Sequence, residues 1–233
     1  MLDDLKKSVC EANLELKASG LVILAWGNVS GIDPDSKLVA IKPSGVSYSE
    51  MTPDNMVIVD LDGNVVEGDL NPSSDTPTHL ALYREFEGIA GVAHTHSTAA
   101  TAFAQACRGV PCYGTTHADS FCGEVPVTAQ LAREALEGDY ELETGIAIIR
   151  AFDELDPHEK PGVLVASHGP FTWGSSPAKA VENSIVLEQC ALMALMTESL
   201  NPDIGPITSH LQDKHFLRKH GAGAYYGQST KGK

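Results

Sequence analysis

Three histidines carry the strongest chemical signal in the chain. His94 and His96 stand two residues apart at the end of the apolar run Gly91-Val92-Ala93, and His168 closes a second apolar run, Val163–Ala166. Side chains two apart on a strand project from the same face. A strand running through Ile89–His96 therefore presents two imidazoles together, as one metal ion requires. A bare His-x-His pair describes two unrelated surface histidines equally well. His168, at a second strand end, is what favours the metal reading. Three imidazoles suit a divalent ion such as zinc and leave positions open for a substrate. A closed structural zinc site would use cysteines, and none of Cys10, Cys107, Cys112, Cys122 and Cys190 sits beside a histidine at ligand spacing.

Two other stretches have the composition of anion holders. Ser73-Ser74-Asp75 precedes Thr76-Pro77, a helix entry where hydroxyls and backbone N–H groups face a ligand. Lys42-Pro43-Ser44-Gly45 offers an ammonium, a hydroxyl and a glycine N–H in a turn that permits close backbone approach. Each alone is a common turn; with Asn28 they make a cradle for a phosphate. Asp75 alone reads as a helix cap, and His117, His158, His210 and His220 as solvated or internally satisfied.

These groups need a scaffold, and the patterning supplies one. Residues 1–20 carry charge throughout and place Leu2, Leu5, Val9, Ala12 and Leu16 on one stripe, an amphipathic helix ending at Gly20 rather than a secretory leader. Strand-like runs follow at Leu21–Trp26, Leu38–Ile41, Met56–Asp60 and Asn64–Glu67, the last two joined by an Asp-Gly turn, so an antiparallel meander is expected. Thr76 is the expected N-cap of a helix reaching about Glu87, and Ser97 that of a small-residue helix through about Cys107. Short strands are expected within 111–128, a short helix near Ala129–Leu136 and an apolar run over Gly145–Phe152. The Gly169-Pro170 pair is expected to stop the His168 strand. Ser176-Pro177 opens the longest helix, to Leu200, and a last helix covers His210–His220. The fold class expected is α/β in the broad sense: one α+β, three-layer α/β/α domain around a mostly antiparallel sheet. It spans 1–228, with a polar tail at 229–233 expected to be disordered.

Composition narrows the partners. The formal net charge of −15 argues against a nucleic-acid backbone partner, yet a small phosphorylated substrate needs only a local cation and a few N–H donors. No apolar run reaches the ~18–20 residues of a membrane span. Five scattered cysteines without a CxxC pair read as reduced thiols of a cytoplasmic protein.

Several motifs, in order, resemble the metal-dependent class II aldolase/epimerase family: Gly27-Asn28-Val29-Ser30, Lys42-Pro43-Ser44-Gly45, Pro72 through His79, His94-Thr95-His96-Ser97 and Ser167-His168-Gly169-Pro170. Gly114 through Asp119, Asp213-Lys214-His215 and Tyr225-Tyr226-Gly227-Gln228 narrow the resemblance to the epimerase branch. It covers residues 1–228. The resemblance implies that His94, His96 and His168 are zinc ligands, with Asp75 as the carboxylate at the metal; other first-row ions such as Mn2+ are compatible with the donor set. It places Asn28, Lys42, Ser44, Gly45, Ser73 and Ser74 on the substrate phosphate and makes Asp119 and Tyr226 the acid/base pair. Tyr226 and His215 are implied to reach a neighbouring subunit's site in a four-fold symmetric homotetramer. The implied reaction is C4 epimerisation of a 2-ketopentose 5-phosphate through C3–C4 cleavage and re-addition, serving arabinose or ascorbate use. A sugar-phosphate aldolase is the nearest alternative, and a non-catalytic metal-stabilised binding protein the remote one. The family's aldolases carry a glutamate where Asp75 stands, which favours the epimerase.

Overall fold

In the computed structural model, which describes residues 2–225, helix α1 (Leu2–Ala18) follows the apolar stripe of the sequence. It buries Val9, Cys10, Ala12 and Leu16, and carries Asp3 and Asp4 in its first turn and Lys17 in its last, matching the helix dipole. The next run departs from expectation. Leu21–Trp26 is a turn segment rather than a strand: Leu21 and Val22 are buried, but Ile23, Leu24 and Trp26 stand 59%, 71% and 52% exposed. The physical reason lies at Gly27. Its φ is +75°, and a Cβ there would come within 2.8 Å of the His94 carbonyl oxygen. The chain turns at this glycine before it can enter the sheet.

Strands β1 (Asn28–Ile32), β2 (Val39–Ile41), β3 (Val57–Val59) and β4 (Val65–Glu67) form the expected antiparallel meander. Helix α2 (Thr76–Glu85) comes next, with Asp75, not Thr76, at its N-cap position; the Thr76 hydroxyl instead donates to the Ser73 carbonyl at 2.6 Å. Strand β5 (Gly91–His94) is shorter than expected, so His94 ends the strand and His96 lies beyond it. Ser97 takes the expected N-cap position of helix α3 (Thr98–Gln105), but in place of its hydroxyl the Glu188 carboxylate accepts the N–H groups of Ala99 and Ala100 at 2.8 and 2.9 Å.

Residues 111–128 hold a short helix, α4 (Thr115–Ala118), and isolated bridges from Val110 to Val125 and Val127 to Leu164 in place of short strands. Helix α5 (Arg133–Glu137) follows. The apolar run at 145–152 is helical, inside α6 (Tyr140–Ala151), because its buried residues recur at helical spacing (Thr144, Ile148) and Asp139 accepts the Leu142 N–H at the helix start. Strands β6 (Gly162–Val165) and β7 (Gly169–Gly174) form a tight hairpin, so Gly169-Pro170 starts a strand instead of ending one. Helix α7 (Pro177–Leu200) is capped by Ser176, whose hydroxyl accepts the Lys179 N–H; at 1.5 Å per residue it runs about 36 Å. Helix α8 (Ser209–His220) matches expectation.

The seven strands form one antiparallel sheet in the order β4-β3-β2-β1-β5-β7-β6. Strand residues alternate between its faces. Ile41, Val57, Val59, Val92 and Trp173 pack with Leu80, Phe86, Ile148 and Phe152 of α2, α6 and their flanks. Ala40, Ile58, Val29 and Ala93 pack with Val9, Leu16, Ala180 and Val181 of α1 and α7. The three-layer expectation holds. The expected 228/229 boundary lies outside the described residues. Among the described residues no helix is long and apolar enough to cross a membrane, and the five cysteines are free thiols.

Two further histidines are buried in the protein, His79 behind Phe171 and His117 beside Phe121. His79 Nδ1 lies 2.7 Å from Ser30 Oγ, and burial pushes its pKa down to about 3. His117 Nε2 donates to the Gly123 carbonyl at 2.8 Å, and burial pushes it down to about 4. Histidines of the unfolded chain titrate near 6.5, so that state takes up protons first; stability is full above about pH 6.5 and is lost as pH falls toward 4. Charging His117 in place costs about 3 kcal/mol. Urea titrations of the metal-free protein should show the midpoint falling between pH 6.5 and 4.5, with a shallower fall in His117→Gln. A midpoint independent of pH over that range would contradict this account.

Candidate active site

The three histidines converge although only His94 lies within a strand. Antiparallel pairing sets Asn28 opposite His94, and His94 opposite Phe171, so one row crosses the sheet at its end. His94 stacks on Phe171 with ring centroids 4.1 Å apart, and its Nδ1 donates to the Pro170 carbonyl at 3.0 Å. A carbonyl only accepts, so the proton is on Nδ1 and the Nε2 lone pair is free. His96 Nε2 lies 3.1 Å from that atom. His168 stands in the β6–β7 turn. Gly169 lets β7 approach this close, since a Cβ there would meet the Thr95 carbonyl at 2.7 Å. The ligand atoms of His94, His96 and His168 all lie within 4.8 Å of one another.

The anion-holding stretches meet on the same side. A bridge between Pro43 and Pro72 joins them: Ser44 N–H donates to the Asn71 carbonyl at 2.9 Å and Ser73 N–H to that of Lys42 at 3.0 Å. Asn28 Nδ2 donates to Asp75 Oδ2 at 2.5 Å and to Ser73 Oγ at 3.1 Å. Lys42 is 2% exposed, yet among the described residues its ammonium makes one long hydrogen bond, 3.3 Å to the Pro43 carbonyl, and lies 5.2 Å above the Tyr48 ring. An ammonium has three donors, and a buried cation so thinly paired has capacity for an anion. All these groups line one cavity of about 330 Å³: Asn28, Lys42, Ser44, Gly45, Ser73, Ser74, Asp75 and the three histidines.

That cavity also takes Trp26, Tyr140 and Glu141, none of which the sequence singled out. The Trp26 ring lies 6.2 Å from that of His96, and Tyr140 Oη lies 3.2 Å from His168 Nδ1. Asp119 and His215 are elsewhere. Arg218 grips the Asp119 carboxylate with two hydrogen bonds, of 3.0 and 2.6 Å, and His215 Nδ1 lies 3.1 Å from it. Asp119 faces a different cavity, of about 460 Å³, with Lys219 and His220. Tyr226 lies outside the described residues.

The electrostatics fit a cation at the triad. Burial pushes His94 down to about 4 against the pull of Asp75, and burial lowers His96 and His168 as well, so all three rings are neutral at pH 7. Burial works against the Asp75 charge, but His94, His79 and the Asn28 hydrogen bond outweigh it and hold the carboxyl below its usual range. The 3.1 Å between the His94 and His96 nitrogens approaches the edge of a zinc tetrahedron, about 3.3 Å for bonds of about 2.0 Å. Asp75, held by Asn28, is not one of the clustered ligand atoms and stands as a carboxylate beside them. Burial lowers the Lys42 pKa and Asp75 raises it, so each of these two opposite charges offsets part of the other's burial.

Comparison with known proteins places these residues in context. Residues 7–195 match the family model described as class II aldolase and adducin N-terminal domain. The chain is 52% identical to L-ribulose-5-phosphate 4-epimerase UlaF of Salmonella paratyphi C over 227 residues, 97% of this chain and the full length of that protein; the Salmonella typhi protein of the same name matches equally. Among solved structures, an L-fuculose 1-phosphate aldolase superposes with a TM-score of 0.74 at 25% identity, covering 91% of this chain and 94% of its own. The l-fuculose-1-phosphate aldolase of Thermus thermophilus gives 0.64 at 25% identity, covering 88% and 98%.

His168 sits in a turn and carries no strand pairing, so its loss should harm the site and spare the fold. His168→Asn is expected to weaken divalent-ion binding at least ~100-fold, while the unfolding midpoint of the metal-free protein stays within experimental error. Competition against a chromophoric chelator reads the first and urea denaturation the second. Ion binding at wild-type strength would remove His168 from the ligand set.

Proposed function

The chain belongs to the class II aldolase family, and on that footing we propose that it interconverts L-ribulose 5-phosphate and D-xylulose 5-phosphate, as an isomerase acting at C4. The observation that carries this reading is the single cavity in which a three-histidine cluster faces a phosphate cradle built on a buried lysine. The 52% identity to a full-length 4-epimerase supports the choice of substrate.

The chemistry explains the architecture. The C4 hydrogen is β to the ketone carbon, so the carbanion left by its removal would not be conjugated with the carbonyl. Breaking C3–C4 avoids this. The C4 hydroxyl loses its proton as the bond breaks, and the bonding pair passes into an enediolate over C1–C3. Glycolaldehyde phosphate is the other fragment. It turns its aldehyde, the enediolate attacks the opposite face, and the C4 oxygen regains a proton. An ion held by His94, His96 and His168 supplies the positive charge that stabilises an enediolate; zinc suits the donor set. Lys42, Ser44, Gly45, Ser73 and Ser74, with Asn28, hold the phosphate so that the fragment rotates without leaving. Asp75, between Lys42 and the histidines, keeps the cavity's charges balanced.

Two faces of C4 need two acid/base groups. Asp119 and Tyr226 are assigned to them. Asp119 contacts His215 and lies in a different cavity from the histidines. Its service to the reaction therefore requires the site of a second copy, which supports a homotetramer with shared sites. Exposed Leu192, Met193, Leu195 and Met196 on α7 give such an assembly apolar surface to bury. The reduced thiols and acidic composition agree with a cytoplasmic enzyme. The aldolase alternative is supported by the structural likeness to L-fuculose 1-phosphate aldolase.

A coupled assay with L-ribulose 5-phosphate decides between them. D-xylulose 5-phosphate is the expected product, and accumulation of free dihydroxyacetone and glycolaldehyde phosphate would establish the aldolase instead. Asp119→Asn should lower kcat by at least ~100-fold with the ion retained; loss of the ion would show a structural role. Mixing inactive His96→Asn and Asp119→Asn proteins should restore measurable turnover in hybrid oligomers. No recovery in hybrids demonstrated by mass spectrometry would place both residues in one subunit's site.

A further inference from the structure

We propose that Tyr140 is a positioning residue of the metal centre, its phenol oxygen receiving the Nδ1–H of His168 and turning the Nε2 lone pair of that ring towards His94 and His96. The inference rests on the three-histidine cluster being the ion site and concerns a residue from another layer of the fold. His94 shows what such a site requires. A carbonyl, an acceptor only, fixes its tautomer, and Phe171 fixes its plane. His168 has neither. It follows Ser167, a non-glycine residue at φ +62°, in a two-strand turn, and is only partly buried. The one hydrogen bond on its ring among the described residues is to Tyr140 Oη, at 3.2 Å.

A phenol is both donor and acceptor. Facing a lone imidazole it can donate to Nδ1, which leaves the proton on Nε2 and turns that nitrogen away from metal binding. An ion at the triad removes the choice: Nε2 must be bare, Nδ1 carries the proton, and Tyr140 accepts it. The phenol's own proton is then left for another acceptor in the cavity, which Tyr140 lines together with Asp75 and Lys42. Tyr140 thereby links ion binding to the presentation of a hydrogen-bond donor beside the substrate. Its placement follows from α6: Asp139 accepts the Leu142 N–H at the helix start, and the Thr78 hydroxyl of α2 donates to the Glu141 carbonyl, so the first turn is anchored on both sides of Tyr140.

The test uses no sugar phosphate, so its outcome is separate from the identity of the substrate. Tyr140→Phe keeps the ring and removes the oxygen. Its affinity for Zn2+ and Co2+, by competition with a chromophoric chelator, should fall about 10-fold to 100-fold, the usual effect of removing a partner of a ligating histidine. The visible absorption of the Co2+ protein should shift as the His168 ring loses its orientation. Wild-type affinity together with an unchanged cobalt spectrum would overturn the proposal. Should the variant fail to fold, long-range 1H–15N spectra of the wild-type Zn2+ protein decide instead: a proton on His168 Nδ1 supports the assignment, and a bare Nδ1 refutes it.

Discussion

The placement of β5 between β1 and β7 is the constraint on which the site depends. A central strand is paired on both edges, so its register is doubly specified, and a slip of one residue would turn every side chain to the other face. That register brings Asn28, His94 and Phe171 into one row at the sheet end. From the row come the stacking that orients His94, the Pro170 carbonyl that sets its tautomer, and the amide that holds Asp75. His96 and His168 lie outside strands, yet both are tied to it. His96 is two residues past the end of β5, and His168 enters through the hairpin whose second strand carries Phe171. The glycines at 27 and 169 have no side chain because the backbones here leave no room for one.

Concentrating charge at this sheet end is costly unless the charges answer one another. Burial lowers the affinity of the three imidazoles for protons, which leaves them neutral and able to ligate. Asp75 remains an anion with Lys42 and the imidazoles around it. Among the described residues, most of the hydrogen-bonding capacity of Lys42 stays unanswered. Under the proposed function, a dianionic phosphate at that point and a divalent ion at the histidines would complete the pairing and balance the cavity. The two halves are also held at fixed separation by the Asn28 amide, which touches Ser73 on the phosphate side and Asp75 on the histidine side.

Much of this was legible in the sequence, for identifiable reasons. The amphipathic stripe of α1, the β3–β4 turn and the Ser-Pro start of α7 are local signals, and each element formed within a residue or two of its expected place. That the three histidines would meet the 42–45 and 73–75 stretches in one cavity was legible because short motifs keep side-chain chemistry and spacing together. Signals that depended on distant partners failed. Leu21–Trp26 has strand composition, but the turn forced at Gly27 keeps it out of the sheet. Gly169-Pro170 reads as a strand stop, yet pairing with Val165 and Leu164 of β6 makes it the start of β7. Tyr140, Glu141 and Trp26 belong to no motif; only the packing of α6 and of the 21–27 turn brings them to the histidines. The 145–152 run was ambiguous by composition, and its buried spacing resolves it as a helix.

Asp119 lines a different cavity from the three histidines. Its carboxylate is saturated by Arg218 and His215 on α8, and although burial opposes its charge, these partners and Lys219 hold its pKa well below the usual range. A carboxylate so held is a poor base in isolation. The same ion cluster, however, ties α8 to α4 and thereby presents Asp119, His215 and the segment leading to Tyr226 as one unit at the surface. A phosphate or ketose oxygen entering that unit from a neighbouring copy would compete for Arg218 and loosen its grip on the carboxylate, raising the proton affinity of Asp119 when substrate is present. In the proposed assembly, closed symmetry would give every copy such a neighbour. Under the proposed assignment Asp119 would be kept inert in the free chain and tuned at the contact, a physical reason for holding the histidines and Lys42 in one cavity and Asp119 in another.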